Sequence, residues 1–334
     1  MAVSGYRLFG SELSPYSVKV RSYLRFKGIG HEWIPRGPKS AAEFQKYAKL
    51  PLIPLLVTPD GEGLQDSTPI IEKLEAQIPE PSIHPDDPAL RFLSELIEEY
   101  ADEWANKSMF HYRWSYAADA DSASQRIASQ IAPDGADDAA VAKTAEGVRG
   151  RMVPRLSFVG SHAGTKDTIE GSLRRILDTL EMHLVGRKYL FGNRPALADF
   201  GLWGQLYECW TDPTPKALID ELYPNAWRWI ERMLEPKVEG EWDSWPSIKW
   251  GIGRLLDTEV CGLFLPWTTA NAVALKDGQE KFTVMLEGRP FTQQTQKYHA
   301  RSLAEIKRKY EAAKGAPGLE AILDETGCLR WLED

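Results

Sequence analysis

The order of strand-like and helix-like segments near the start of this chain restricts its fold more than any other feature. An apolar run at residues 6–10 is typical of a strand, and apolar residues then recur at helical spacing up to Gly28, where that helix should end. A second strand around residues 32–34 leads through a loop with proline and glycine into a short helix at residues 41–47. The sequence therefore begins with the predicted order strand, helix, strand, helix.

Two further strands and a helix complete this first unit. The apolar run from Leu52 to Val57 predicts a strand, and the turn at residues 59–61 predicts a hairpin that leads to a short strand before Gln65. A helix should then run from Ile70 toward Gln77. Because a βαβαββα order is typical of a thioredoxin-like domain, we predict such a domain over residues 1–82.

A proline-rich segment over residues 79–88 separates this unit from a mostly helical remainder. Apolar residues share one helix face in the stretch from Leu90 to Trp104 and again in the stretch from Ile169 to Leu184. The predicted fold class is α/β plus all-α, with an all-helical domain over residues 83–239. Residues 240–334 should form a mostly helical extension with a short hairpin near Glu287. The stretch 117–148, rich in Ala, Asp and Ser, is either short helices or a mobile insert.

Composition excludes several classes of function. The net charge is −8 with a pI near 5.5, and no run of Lys or Arg is long enough to follow a phosphate backbone, so no nucleic-acid partner is expected. The sequence contains no apolar window of about 18 residues, so no membrane span is expected either, and we predict a cytoplasmic protein. The three cysteines lie far apart in sequence and, like the histidines, show no metal-ligand spacing.

The motif Ser14-Pro15-Tyr16-Ser17 lies where the first strand gives way to the first helix. A glutaredoxin has Cys-Pro-Tyr-Cys at this junction, and here oxygen replaces both sulfurs. A hydroxyl cannot form a mixed disulfide, but at a helix N-terminus it can donate a hydrogen bond to the thiolate of a bound ligand. Ser14 could instead be a plain helix cap, and Ser17 and Ser11 are rivals for the donor role.

Further motifs carry a resemblance over roughly residues 4–235. Ile53-Pro54, Asp66-Ser67 and the segment from Tyr189 to Phe200 follow Ser14 in an order and spacing similar to those of the glutathione S-transferase family. The chain resembles a bacterial, serine-type member of that family with a C-terminal extension. Ala196 occupies the position where the family usually has a Ser or Thr helix cap, and we expect Asp199 to reach back to the free backbone donors.

The resemblance implies a transferase that conjugates glutathione, as co-substrate, to a small hydrophobic electrophile, usually for detoxification and usually as a homodimer. It makes Ser14 the catalytic residue and predicts a cis bond before Pro54 that frees the backbone of Ile53 for the ligand. Lys39 or Lys49 would bind the glycine carboxylate. The implied glutathione-binding residues are Tyr16, Ile53, Pro54, Asp66, Ser67 and Lys39.

Two other functions stay open at this point. One is glutathione-dependent cleavage of aryl ethers, because Ser14, Pro15 and Tyr16 also resemble the start of bacterial etherases. The other is a noncatalytic glutathione-binding or protein-interaction module, which the long extension favours. The electrophile would bind between the domains, next to Tyr16 and to aromatic residues of the first long rear helix, which could equally be core residues. Those aromatic candidates are Phe110, His111, Tyr112 and Trp114.

Overall fold

A four-stranded mixed sheet forms the first unit of the molecule. A computed structural model describes residues 5–133 and 135–333 of the chain. The strands are β1 (Tyr6–Gly10), β2 (His31–Pro35), β3 (Leu55–Val57) and β4 (Gly63–Gln65), in the spatial order β2-β1-β3-β4. Strand β1 pairs in parallel with β2 and antiparallel with β3, and β3 pairs antiparallel with β4. This arrangement confirms the thioredoxin-like fold predicted from the order of elements.

Three helices accompany the sheet: α1 (Pro15–Phe26), α2 (Ala41–Tyr47) and α3 (Ser67–Gln77). Two predicted boundaries were wrong. The apolar run from Leu52 becomes a strand only at Leu55, because the peptide bond between Ile53 and Pro54 is cis and turns the chain there. Helix α3 begins three residues before the predicted Ile70, because Asp66 adopts a φ of 77° and redirects the chain into the helix.

The second half of the molecule is helical, as predicted. Its helices are α4 (Pro88–Tyr100), α5 (Asn106–Ser115), α6 (Ala117–Ile131), α7 (Asp138–Met152), α8 (Lys166–His183), α9 (Leu197–Trp210), α10 (Pro213–Leu222) and α11 (Pro224–Arg232). A π-helical turn, Ala101–Ala105, joins α4 to α5, and a 3-10 segment, Val153–Val159, follows α7. Helices α6 and α7 pack together. Of the two predictions for residues 117–148, helices or a mobile insert, the structure therefore supports helices. Residue 134 lies outside the described residues.

The start of α9 shows how a missing cap is replaced. Ala196 has no side-chain acceptor, and the buried carboxylate of Asp199 accepts instead from the backbone N–H of Ala196 at 2.9 Å and of Leu190 at 3.0 Å. The indole N–H of Trp229 donates to the same carboxylate at 2.9 Å. The expectation that Asp199 reaches back to free backbone donors is confirmed, and this side chain ties three segments of the helical domain together.

The C-terminal extension packs against α4 and the turn that follows it. The extension comprises α12 (Trp245–Ile248), π-helical segments Lys249–Gly253 and Leu256–Phe264, α13 (Leu265–Lys276), the hairpin β5 (Lys281–Leu286) and β6 (Arg289–Gln294), α14 (Lys297–Ala313), α15 (Leu319–Glu325) and α16 (Leu329–Leu332). The predicted hairpin is confirmed. Trp267 lies 5.6 Å from Trp104, and Tyr310 lies 5.8 Å from Phe92, measured between ring centroids. Among the described helices, none is both long and apolar enough to cross a bilayer.

Candidate active site

The first turn of α1 places Ser14 at the edge of the sheet. Ser14 is the N-cap of the helix, with extended backbone angles, and Pro15 follows at the first helical position. Its Oγ accepts a long hydrogen bond, 3.3 Å, from the backbone N–H of Ser17. Within residues 5–133 and 135–333 no acceptor bonds to the hydroxyl hydrogen of Ser14. The half-buried hydroxyl can therefore donate to a ligand beside the positive end of the α1 dipole.

The rival serines are placed less favourably. Ser11 donates its hydroxyl to Gln130 Oε1 at 3.2 Å and accepts from the backbone N–H of Leu13 at 3.3 Å. Ser17 is fully buried against Gly10, at the end of β1, where a Cβ would lie 2.9 Å from Ser17 Cβ. The structure records no hydrogen-bond partner for Ser17 Oγ among the described residues. Only Ser14 of the three combines exposure with a helix N-terminus.

Tyr16 joins the two domains through its hydroxyl. The phenol donates to the backbone carbonyl of Asp102 at 2.9 Å and accepts from Asn106 Nδ2 at 3.0 Å. Burial, followed by the charges of Asp102 and Glu103, raises the pKa of Tyr16 well above its usual value, so the phenol stays protonated. Because the hydroxyl of Tyr16 is already bonded to the helical domain, only the face of its ring can contact a ligand.

The predicted cis proline exposes a short length of backbone. The Ile53–Pro54 bond is cis, and Ile53 precedes β3 without joining it. Over the described residues, no hydrogen bond reaches the backbone N–H or C=O of Ile53. Gln65, which the sequence analysis missed, fixes the loop before Ile53, because its side-chain amide bonds to the carbonyls of Leu50 and Leu52, each at 2.8 Å. An extended ligand can pair with this fixed, open backbone.

The start of α3 presents backbone donors and a carboxylate. The N–H groups of Ser67 and Thr68 have no acceptor within the described part of the chain, and at a helix N-terminus such groups bind carboxylates. Asp66 is exposed immediately before them. Ser67, which the resemblance implied as a glutathione-binding residue, has a buried side chain whose hydroxyl donates to Asp102 Oδ2 at 3.4 Å, so its backbone N–H is the group left for a ligand.

Behind Ser67 lies a buried charge cluster that the sequence analysis did not find. Lys19, on α1, forms ion pairs with Glu98 and, at 2.6 Å, with Asp102 Oδ2. Burial raises the pKa of Asp102 to about 7, although Lys19 opposes the shift. The only sequence signal was a lysine flanked by Val18 and Val20 in an apolar helix, which is ordinarily a solvated position.

The two lysine candidates for the glycine carboxylate lie on separate loops. Lys39 is exposed in the turn between β2 and α2, and Lys49 is exposed in the segment between α2 and β3. The backbone N–H of Lys49 donates to Gln65 Oε1 at 2.8 Å, so its position is fixed by the same amide that holds the Ile53 loop. Both side chains lie at the surface, where a carboxylate in solution can pair with them.

Comparison with known families accounts for this arrangement. A sequence model of the glutathione S-transferase N-terminal domain matches residues 8–82, and a model of the C-terminal domain matches residues 139–232. The chain belongs to the glutathione S-transferase family. The two matches cover the sheet with the Ser14 turn, the cis proline and Asp66, and much of the helical domain. The π-helical turn after α4 and the extension lie outside them.

The relatives found within the glutathione S-transferase family are distant. Glutathione S-transferase U7 of Arabidopsis thaliana is 22% identical over 235 residues, covering 68% of this chain and 82% of that protein. The uncharacterized GST-like protein YibF of Escherichia coli (strain K12) is 36% identical over 100 residues, covering 29% of this chain and 48% of that protein. The chain thus spans less than half of the second relative.

Solved structures resemble this glutathione S-transferase family member at low identity. A glutathione S-transferase from Methylobacillus flagellatus with glutathione bound is 22% identical and covers 69% of this chain and 95% of its own, with a TM-score of 0.40. The beta-etherase LigF from Sphingobium sp. strain SYK-6 is 19% identical and covers 73% and 97%, with a TM-score of 0.46.

The aromatic candidates for an electrophile site divide into core and surface residues. His111, Tyr112 and Trp114 are buried, and His111 bonds to Ser161 Oγ at 2.7 Å, so these three belong to the helical core of this glutathione S-transferase family member. Phe110 is half-buried and packs in the same cluster as Leu13, the residue before Ser14. Because Leu13 directly precedes Ser14, the apolar cluster that Leu13 and Phe110 pack against borders the candidate thiolate site.

Proposed function

We propose that the protein is a glutathione transferase in which the Ser14 hydroxyl stabilises the thiolate of bound glutathione. The observation that carries the proposal is the position of Ser14: a half-buried hydroxyl with its hydrogen available, at the N-terminus of α1. Ser11 is engaged with Gln130, and Ser17 is buried behind β1. Family membership supports glutathione as the co-substrate, and the site offers groups that complement each part of that tripeptide.

Each portion of glutathione has a complementary group in the proposed site. The cysteinyl backbone would pair with the open N–H and C=O of Ile53, held by the cis bond to Pro54. The γ-glutamyl carboxylate would bind the N–H groups at the start of α3, and its ammonium would pair with Asp66. The glycine carboxylate would pair with Lys39 or Lys49. Tyr16 would contact the ligand with its ring, because its hydroxyl is already bonded.

The energy that the site must supply is modest. A free thiol has a pKa near 8.5, and lowering it by about 2 units, enough to ionise most of it at neutral pH, requires ~2.7 kcal/mol. A charge-assisted hydrogen bond from Ser14 contributes about 1.5–3 kcal/mol, and the α1 dipole adds about 0.3–1 kcal/mol. The two effects together match the requirement. The ionised sulfur would then attack an electrophilic carbon, and the apolar surface of Phe110 and Leu13 favours a hydrophobic substrate.

A homodimer, which the family resemblance implies, and a cytoplasmic location, which the composition favours, remain predictions. Cleavage of aryl ethers would use the same thiolate with a phenolate as the leaving group. An activity assay distinguishes the transferase from the noncatalytic alternative. If the protein binds glutathione and lowers its thiol pKa but turns over none of a panel of aryl halides, enones and aryl ethers, it is a binding module.

The deciding experiment follows the ultraviolet absorbance of the thiolate while protein-bound glutathione is titrated with base. In Ser14→Ala the thiol pKa should return toward the free value by about 1–2 units, because the donor is lost. Ser11→Ala is the matched control, since it removes a neighbouring hydroxyl that is already engaged. An unchanged titration in Ser14→Ala, or an equal shift in Ser11→Ala, would contradict the proposed role of Ser14.

A further inference from the structure

The C-terminal extension reaches the candidate active site through the first turn of α14. The Tyr298 hydroxyl donates to Asp66 Oδ2 at 3.3 Å. The next residue, His299, bonds through Nδ1 to the carboxyl group of Glu103, in the π-helical turn after α4. Two consecutive residues of the extension therefore contact one acidic side chain of each preceding domain. Neither family match covers this part of the chain.

Contacts with α13 fix the first turn of α14 in place. The side-chain amide of Asn271 bonds to both backbone groups of Gln296, donating to its carbonyl at 3.0 Å and accepting from its N–H at 2.9 Å. The hydroxyl of Thr268 donates to the carbonyl of His299 at 3.2 Å. The rings of Trp267 and His299 lie 4.6 Å apart. These contacts hold the backbone of Tyr298 next to Asp66, so the Tyr298 side chain loses little conformational entropy when it bonds to Asp66.

Polar contacts along α14 keep the rest of that helix against the same surface. Ser302 bonds to Glu99 on α4, and Lys309 Nζ lies 2.6 Å from Glu72 Oε1 on α3. Helix α14 therefore bridges α3, which begins at the ligand site, and α4. Its orientation is set at both ends, so the position of Tyr298 does not depend on a single bond.

Tyr298 leaves room for a ligand beside Asp66. The Tyr298 side chain remains 53% exposed, and its bond uses one of about four acceptor positions on the Asp66 carboxylate. A tyrosine is protonated at neutral pH, so the Tyr298 hydroxyl remains a donor. A donor of this kind holds the carboxylate in one orientation without neutralising it, and a cationic group can still pair with the free oxygen.

We propose that Tyr298 is a specificity-determining residue, which positions Asp66 so that the extension completes the binding site for the α-ammonium group of a γ-glutamyl thiol. The inference rests on the proposed function, because it assigns the start of α3 to the γ-glutamyl part of glutathione. Tyr298 acts through Asp66 and takes no part in the reaction of the sulfur. Its removal should weaken ligand binding selectively and leave turnover of bound ligand unchanged.

The test compares two ligands by titration calorimetry: glutathione, and the analogue in which a glutaryl group replaces the γ-glutamyl group and so removes only the ammonium. Tyr298→Phe should raise the Kd for glutathione about fivefold, the change expected for one hydrogen bond to a charged group at an exposed site. The Kd for the analogue should not change. Asp66→Asn should weaken glutathione further and remove most of the preference over the analogue.

Tyr223→Phe is the matched control, because Tyr223, at the end of α10, also donates to an aspartate, Asp178 Oδ1 on α8, at 2.9 Å. It should leave both Kd values unchanged. If the wild-type protein binds glutathione and Tyr298→Phe binds it equally well, or loses both ligands to the same extent, this inference is overturned while the proposed function stands. If the wild-type protein binds neither ligand, the proposed function and this inference fail together.

Discussion

Replacing Lys19 with methionine tests whether the buried charge cluster behind the candidate active site holds the two domains together. Lys19 is 1% exposed, lies 2.6 Å from Asp102 and pairs with Glu98, which is fully buried. Methionine keeps most of the apolar stem but removes the cation, so two carboxylates of the helical domain lose their counter-ion. Breaking a buried ion pair in this way costs about 3–5 kcal/mol. We expect the free energy of unfolding to fall by that amount.

The matched control is Lys73→Met. Lys73 also pairs with a glutamate, Glu62, at 2.6 Å, but the two side chains are 36% and 54% exposed. Loss of an exposed pair should cost no more than about 1 kcal/mol. Urea denaturation followed by tryptophan fluorescence measures both variants under the same conditions. If Lys19→Met costs no more than Lys73→Met, then water reaches the cluster and the argument from burial is refuted.

The pH dependence of Lys19→Met supplies a second check. Burial already raises the pKa of Asp102 to about 7 with Lys19 present, and without the cation it should rise further. A carboxyl whose pKa is raised on folding stabilises the fold at low pH, and that contribution is lost as the pH rises through the folded pKa. The stability gap to wild type should therefore be wider at about pH 8 than at about pH 5. Adding Glu98→Gln and Asp102→Asn should recover part of the loss, because the uncompensated charges are then gone.

Two further predictions concern a helix contact and a thiol. Gly204→Ala should destabilise the protein by about 1–3 kcal/mol, because the added Cβ would lie 2.7 Å from a carbonyl oxygen in the first turn of α1. Gly147→Ala, in an open position on α7, should instead stabilise the protein by about 0.5–1 kcal/mol. Midpoints of urea denaturation that shift in the same direction for the two variants would contradict this prediction. A hydrogen bond with Cys328, together with Arg330, lowers the pKa of Cys261, whereas burial raises the pKa of Cys209. Alkylation mapped by mass spectrometry should therefore reach Cys261 at a lower pH than Cys209.

Local patterns were enough to predict most of the first unit. Strand alternation and helical spacing are properties of neighbouring residues, and they located β1, α1 and α2, the last with its observed bounds Ala41–Tyr47. The errors arose where one residue overrides its neighbours. The run from Leu52 is as apolar as a strand, but the cis bond and the loop held by Gln65 delay the strand until Leu55.

The residues that connect the domains could not be predicted in the same way, because their partners are distant in sequence. Lys19 pairs with Glu98, 79 positions away, and Tyr298 bonds to Asp66, 232 positions away. Periodicity assigns a side chain to a helix face but does not say what covers that face. The helix cap at Ser14 could be predicted because a serine followed by proline signals a helix start by itself. The hydrogen bonds of the Tyr16 and Ser67 hydroxyls could not, because both are made to Asp102, in the other domain.

Helix α4 illustrates what a charge pattern alone leaves undecided. Its apolar face was predicted from spacing. A second, acidic stripe recurs at four-residue intervals and consists of Glu95 and Glu99 on α4 and Glu103 in the π-helical turn that follows. On most helices such a stripe faces water. Here α14 covers part of that stripe and supplies the complementary groups His299 and Ser302. Burial without these partners would cost several kcal/mol for each carboxyl group, so the extension must be docked for the stripe to be tolerated there. The acidic stripe and α14 therefore form one interface, and that interface places Tyr298 at the candidate active site.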